Sequence, residues 1–166
     1  MQLDELDIAL LDTLSTHPRA GALELSRLLR IARATVSARL RRLEDGNVIT
    51  GYGPDVDLAA TGHPVQAFVT LEIAQGALAE IADELAAIPG VIEAYATTGT
   101  GDVLCRIAAG SHEDLQNTLL QLNHSAAIDR STSVIVLSTV VRHRVLPLLR
   151  RDAAGATGRA PAFRRP

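Results

Sequence analysis

The hydrophobic pattern of this chain changes at Pro64, from helical spacing alone to strands mixed with helices, and that change limits what it can fold into. Before it, apolar residues recur every three or four positions: Leu3, Leu6, Leu10, Leu11 and Leu14, then Leu25, Leu28 and Leu29, then Val36, Leu40 and Leu43. Such spacing lays each group along one side of an α-helix. After it, Val65–Ile73 alternates as a half-buried strand does. A helical unit therefore precedes a mixed one, and the fold class is α+β.

In the first part, Asp4 caps a helix, with Asp7 as a weak capping-box partner, and His17-Pro18 ends it. A second helix fits Ala22–Leu29, with Leu25, Leu28 and Leu29 inward. Arg30-Ile31-Ala32-Arg33 is too short for anything but a tight corner. A third helix fits Ala34–Asp45, Gly46-Asn47 stops it, and Val48–Tyr52 reads as a strand leaving it. Three short helices with a tight second corner form a helix-turn-helix, winged by that strand. With Val36, Leu40 and Leu43 inward, Ala34, Ser37, Ala38 and Arg41 point out, flanked by Thr35, Arg39 and Arg42. Small residues let such a helix lie deep in a DNA groove while arginine reaches bases or phosphates. The candidate DNA contacts are Arg33, Thr35, Ser37, Ala38, Arg39, Arg41 and Arg42. A three-helix bundle with a solvated basic surface is the competing reading.

Charge placement fits both readings, and it is the small-plus-arginine outer side of the third helix that favours the first. The chain's net charge is −3, and all 16 of its basic Lys/Arg residues are arginine. Residues 1–50 are neutral, 51–129 carry −10 and 130–166 carry +7. All seven arginines of the first block lie between Arg19 and Arg42, opposed there only by Glu24. A basic window on a small helical unit is a footprint for phosphate. Aromatics at 2% argue against a stacking platform for single strands. One cysteine, Cys105, excludes an internal disulfide and a cysteine-rich zinc site. The five histidines show no metal-ligand spacing, and neither a P-loop nor a full dinucleotide fingerprint occurs. No catalytic residue, metal or cofactor is therefore expected. Without a signal peptide or an apolar run of about 18–20 residues, a cytoplasmic protein with no membrane contact is expected.

Beyond a linker at 51–63 containing a short strand, the expected elements are a strand at Val65–Ile73, a helix at Ala77–Ile88 and strands at Val91–Thr98 and Val103–Ala109. A helix at His112–Leu122 capped by Ser111 and a strand at Thr132–Val141 follow. This βαββαβ order is the ferredoxin-like pattern. Both helices then cover one face of the sheet, and the half-apolar other face calls for a partner, most simply a second copy about a two-fold axis. The expected organisation is a DNA-binding domain at 1–50, the linker, a second domain at 64–148 and a flexible basic tail at 149–166.

Several of these segments carry a resemblance. The run Leu3-Asp4, Asp7, Leu10-Leu11, then Leu25-Ser26 and Leu29, then Thr35-Val36 and Arg39-Leu40-Arg41-Arg42-Leu43-Glu44, then Gly46-Asn47-Val48-Ile49 and Gly51-Tyr52, resembles the leucine-responsive regulatory protein/AsnC family over about residues 2–148. The resemblance implies a sequence-specific transcriptional regulator of double-stranded DNA. It would be a homodimer, often assembled as four dimers into an octamer, with a second domain that senses a small effector, commonly an amino acid. In the family a Gly-x-x-Asp loop between the second and third strands helps bind that effector. Gly99-Thr100-Gly101-Asp102 matches its first and last positions, and Thr132 is implied as a further contact. A plain β-turn is the other reading of those four residues. The chain also departs from the family at the helix-turn-helix corner, with Arg30 where glycine is usual and Ala32 where serine is usual. The expectations are a corner without a left-handed residue and a third helix short of its cap. Two rival functions are an effector-independent architectural DNA binder and a small-molecule-binding α/β protein that does not bind DNA.

Overall fold

The structure, a computed structural model, describes residues 1–155. It divides into two compact units, one formed by residues 1–54 with the segment from Val141 and the other by Asp55–Val140.

In the first unit, α1 (Glu5–Thr16) is capped at both ends as expected. Asp4 Oδ1 accepts from the N–H of Asp7, and Asp7 Oδ2 accepts from the N–H of Asp4, each at 2.9 Å. The helices α2 (Ala22–Leu29) and α3 (Arg33–Asp45) follow. Ala9, Leu10, Leu25, Leu29, Val36 and Leu43 form the core, with Leu40, Val48 and Ile49 packed against it. Leu28, expected inward, is exposed. The buried side of α2 centres on Leu25, Leu29 and Ser26, which leaves Leu28 roughly 100° round the helix.

The corner between α2 and α3 contains a left-handed residue after all. Arg30 itself adopts φ 53° and ψ 42°, and the Ile31 N–H donates to the Ser26 carbonyl at 3.0 Å. A side chain in that conformation costs about 1–2 kcal/mol relative to glycine. At the start of α3, Ala32 supplies no side-chain cap, as expected.

The strand expected at Val48–Tyr52 does not form. The N–H groups of Val48 and Ile49 both turn back onto the Leu43 carbonyl, at 2.8 and 3.1 Å, while their side chains pack on the core. Those donors are spent on closing α3, so no ladder starts there. The linker at 51–63 is likewise irregular or turn, without a strand.

The expectation of a flexible tail from residue 149 is also corrected over the described residues. Residues 149–155 belong to α6 (Leu146–Gly155), and 156–166 lie outside the described residues. Helix α6 packs on α1, with Leu146 and Leu149 half-buried and Arg150 ion-paired to Asp12. Pro147 in the first turn suits a helix start, because its missing N–H has no partner there in any case.

The second unit holds β1 (Val65–Ile73), α4 (Leu78–Ala86), β2 (Val91–Ala96), β3 (Val103–Ala109), α5 (His112–Asn123) and β4 (Ile128–Ile135). The sheet runs β2-β3-β1-β4 with every pair antiparallel, which is the ferredoxin-like order. Ala67, Val69 and Leu71 of β1 and Val103, Cys105 and Ile107 of β3 meet Ile81 and Leu85 of α4 and Leu115 and Leu122 of α5. Both helices thus cover one face. On the other, Phe68 stands opposite Arg106 and Val134, and Thr70 opposite Leu104 and Thr132.

The last strand lies four residues upstream of its expected start, at Ile128 rather than Thr132. Its length is dictated by β1, which pairs from Ile73↔Ile128 to Ala67↔Ile135, after which Val136 N–H reaches the Gln66 carbonyl. Past that point β1 runs out, and Leu137, Val140 and Val141 are exposed without a ladder. Strand β2 stops two residues short of its expected end because Thr97 N–H turns to the Asp102 carbonyl at 2.8 Å. No described helix is long and apolar enough to cross a membrane.

The corner yields two stability predictions. Arg30→Gly removes the left-handed strain and Ala32→Ser restores a cap, and each should stabilise the first unit by about 1 kcal/mol. Urea midpoints of the single variants check this; no increase in either would mean that the corner is relaxed as it stands.

Candidate functional site

Helix α3 starts unassisted at Ala32, and its apolar line, Val36, Leu40 and Leu43, fixes which sides it turns outward. Arg33, Ala34, Thr35, Ser37, Ala38 and Arg41 are all exposed. Two of the other sequence-nominated residues are committed elsewhere. Arg39 donates to Asp7 Oδ1 at 3.0 Å and is ion-paired with Asp4, and Arg42 is ion-paired with Asp7 Oδ2. Asp7 is fully buried, so one carboxylate takes the Asp4 N–H and both guanidinium groups.

The electrostatics of this cluster follow from its geometry. Burial works against the ionised form of Asp4, but the Asp7 N–H and the Arg39 guanidinium outweigh it and hold its pKa below 3.8. Burial likewise opposes the Arg39 charge, and hydrogen bonds to Asp4 and Asp7 raise its pKa above the usual arginine value. Among the described residues no buried side-chain nitrogen or oxygen lacks a partner. Counting Asp4 and Asp7 with the basic window lowers its net charge from six to four. The sequence does not show that Asp4 and Asp7 anchor α3: at i, i+3 at the start of a helix they read as caps only. Further along, burial and the Glu44 carboxylate, which accepts from Tyr52 Oη at 2.6 Å, push the tyrosine pKa up to about 12. That bond ties the residues leaving α3 to the helix itself.

In the second unit the structure gathers four of the five sequence-nominated effector residues in the β2–β3 turn, Gly99, Thr100, Gly101 and Asp102. Gly99 has φ 130°, a conformation that side chains rarely adopt. Asp102 Oδ2 accepts from the Ile73 N–H at 2.9 Å, and Thr97 Oγ1 donates to the Gly101 carbonyl at 2.8 Å. A Cβ on Gly101 would lie 2.1 Å from Thr70 Cγ2, so the turn presses directly on β1. Thr132 is mid-strand rather than at a strand start, and it is Thr70's register partner on β4. Thr70, which the sequence did not single out, is thus the residue that the turn and Thr132 share. Cys105 is buried in the core, and burial pushes its thiol up to about 11, the state of a packing residue rather than a nucleophile.

Comparison with known proteins gives the same two parts. Residues 3–50 match a winged helix-turn-helix DNA-binding model, and residues 66–146 match the Lrp/AsnC ligand binding domain. The HTH-type transcriptional regulator FL11 of Pyrococcus horikoshii is 30% identical over 146 residues, covering 88% of this chain and 97% of that protein. The structure of E. coli AsnC superposes with a TM-score of 0.82 at 23% identity, over 89% of this chain and all of that one. A feast or famine regulatory protein from M. tuberculosis, complexed with L-methionine, superposes with a TM-score of 0.76 at 27% identity, over 86% and 97%.

Three outcomes follow from these contacts. Asp7→Asn removes the buried carboxylate that pairs with Arg42, while Arg39 keeps Asp4, and should cost about 1–3 kcal/mol in urea unfolding. Asp4→Asn keeps a capping side chain but removes a charge whose folded pKa is depressed. Wild type should therefore be the more stable at pH 7, with the gap narrowing as pH falls through 3.8 and gone below the lowered folded value. A gap independent of pH in thermal melts would show that the Asp4 charge contributes nothing. Gly101→Ala should destabilise by about 1–3 kcal/mol, and adding Thr70→Ala should recover part of that loss in urea unfolding.

Proposed function

The chain belongs to the Lrp/AsnC family of HTH-type transcriptional regulators, and from that premise we propose that it binds duplex DNA sequence-specifically through the outer side of α3. It is a DNA-binding regulator with a ligand-binding domain, not an enzyme. The observation that carries the finer reading is the sorting of arginines on α3. Arg33 and Arg41 stand exposed among Ala34, Thr35, Ser37 and Ala38, while Arg39 and Arg42 are ion-paired to the start of α1, Arg42 with part of its side chain still exposed. A helix with short outward side chains approaches base edges closely, and Arg41 then reaches a guanine edge or a phosphate.

The protein acts as a homodimer through the uncovered face of its sheet, where Phe68, Tyr95 and Val134 are exposed. Two recognition helices then address half-sites about one helical turn, roughly 10 bp, apart. An amino acid is the proposed effector, at Gly99, Thr100, Gly101, Asp102 and Thr132. The L-methionine bound by the M. tuberculosis relative supports that class. Backbone amides near Gly99 suit a carboxylate, and the Asp102 carboxylate, fixed by the Ile73 N–H, suits an ammonium group. One observation favours a second reading, an effector-independent DNA binder. Asp102 and Gly101 are both occupied in closing the turn on β1, which is work that needs no ligand.

Footprinting on the gene's own upstream region tests the first reading; protected half-sites spaced by a helical turn are expected, and no protection at low salt would overturn it. Arg41→Ala should cost about 1–3 kcal/mol on selected sequences if it reads a base and the same on all sequences if it holds a phosphate. Thermal shift against the twenty amino acids separates the two effector readings. A ligand at 100 times its Kd contributes about 2.7 kcal/mol, and no stabilisation by any of them at millimolar concentration selects the effector-independent reading.

A further inference from the structure

The helix-turn-helix of this chain has no net charge of its own. Residues 1–54 contain seven arginines and seven acids. The second unit, Asp55–Val140, contains two arginines and eleven acids. The positive charge of the described first unit comes wholly from the segment that returns to it. Val141–Gly155 adds Arg142, Arg144, Arg150 and Arg151 against Asp152 alone, for a net of +3. This segment is not a loose tail. Helix α6 lies on α1, with Arg150 bound to Asp12, and α1 is the element that grips α3 through Asp4 and Asp7. Arg142, Arg144 and Arg151 are exposed, and the solvent-facing pair that Arg151 makes with its neighbour Asp152, at 2.9 Å, is one that a phosphate can replace. The helix α6 also lies almost entirely beyond the stretches that the two family models match, which end at residues 50 and 146.

We infer that the segment from Arg142 through α6 is a second phosphate-contacting surface for duplex DNA, carried on the same unit as α3. It deepens the DNA-binding reading and rests on it. Duplex DNA presents one negative charge per about 1.7 Å, so a neutral helix-turn-helix gains little long-range attraction, and a docked basic helix supplies what the neutral unit lacks. Arg150 fixes the segment to α1, and Arg142, Arg144 and Arg151 are the contacting residues. Their chemistry is sequence-independent: α3 reads, and this surface adds affinity on any sequence.

The test uses the full chain and the variant Arg142→Gln/Arg144→Gln/Arg151→Gln, which leaves Arg150 and the α1 contact in place. Affinity is measured between 50 and 200 mM salt on two duplexes, the gene's own upstream region and a mixed-sequence DNA of equal length. Loss of three phosphate contacts should make the log–log salt slope shallower by up to about 2.7 and weaken binding about tenfold or more, equally on both duplexes. Unchanged slope and affinity, with Arg41→Ala still weakening binding, would overturn the second surface and leave the α3 reading intact. A loss confined to the upstream region would also overturn it, since phosphate contacts carry no sequence. Wild-type protein without salt-dependent binding to either duplex would overturn both. Should melting show the triple variant unfolded, Arg142→Gln and Arg151→Gln singly carry the same test, each with a slope change of about 0.9.

Discussion

A single buried carboxylate organises the first unit. Asp7 is fully enclosed, yet it satisfies the N–H of Asp4 and the guanidinium groups of Arg39 and Arg42. A charge in that position is tolerable only because it is paired, and Asp7 is the one member of the cluster that has no access to water of its own. The same contacts fix the rotation of α3. With Arg39 and Arg42 drawn toward α1 and with Val36 and Leu43 in the core, the helix must present Arg33, Ser37, Ala38 and Arg41 to solvent. One arrangement thus sorts the arginines of α3: those that hold the helix to α1 are separate from those proposed to contact DNA.

The second unit has its own constraint, the fit of the β2–β3 turn against β1. Gly101 sits where any side chain would collide with Thr70, and Asp102 ties the turn to the Ile73 amide. Thr132 reaches the same residue from the other side through the β1–β4 register. A ligand held at this turn would act on the middle of the sheet, because the turn, β1 and β4 meet at Thr70. A change there alters DNA binding only so far as the ligand prefers one of two arrangements of the assembled protein.

Much of this was legible in the residues. The bounds of α2, β1 and β3 match those read from apolar spacing, and the Ser111 cap and the βαββαβ order appear as expected. The errors share a cause: each depends on a partner that spacing does not reveal. Val48–Tyr52 has the composition of a strand, but its first donors close α3. The run after Ile135 is rich in Val and Leu, yet β1 offers nothing further to pair with. Leu28 sits at helical spacing but falls off the buried side of α2. Arg30 takes the left-handed conformation that its side chain disfavours, because the corner geometry demands it. Within the candidate site, composition showed a basic window but not that Asp4 and Asp7, more than thirty residues away, neutralise part of it.

The division of the arginines is the central claim, and the salt dependence of DNA binding tests it most directly. Arg41→Gln and Arg39→Gln are compared side by side for the slope of log affinity against log salt and for melting temperature. The account predicts that Arg41→Gln changes affinity with melting unchanged, and that it flattens the slope by about 0.9 if the contact is a phosphate. Arg39→Gln should lower the melting temperature and, in the fraction that remains folded, leave the slope as it was. The opposite pattern, with Arg39→Gln flattening the slope at unchanged stability and Arg41→Gln silent, would contradict it.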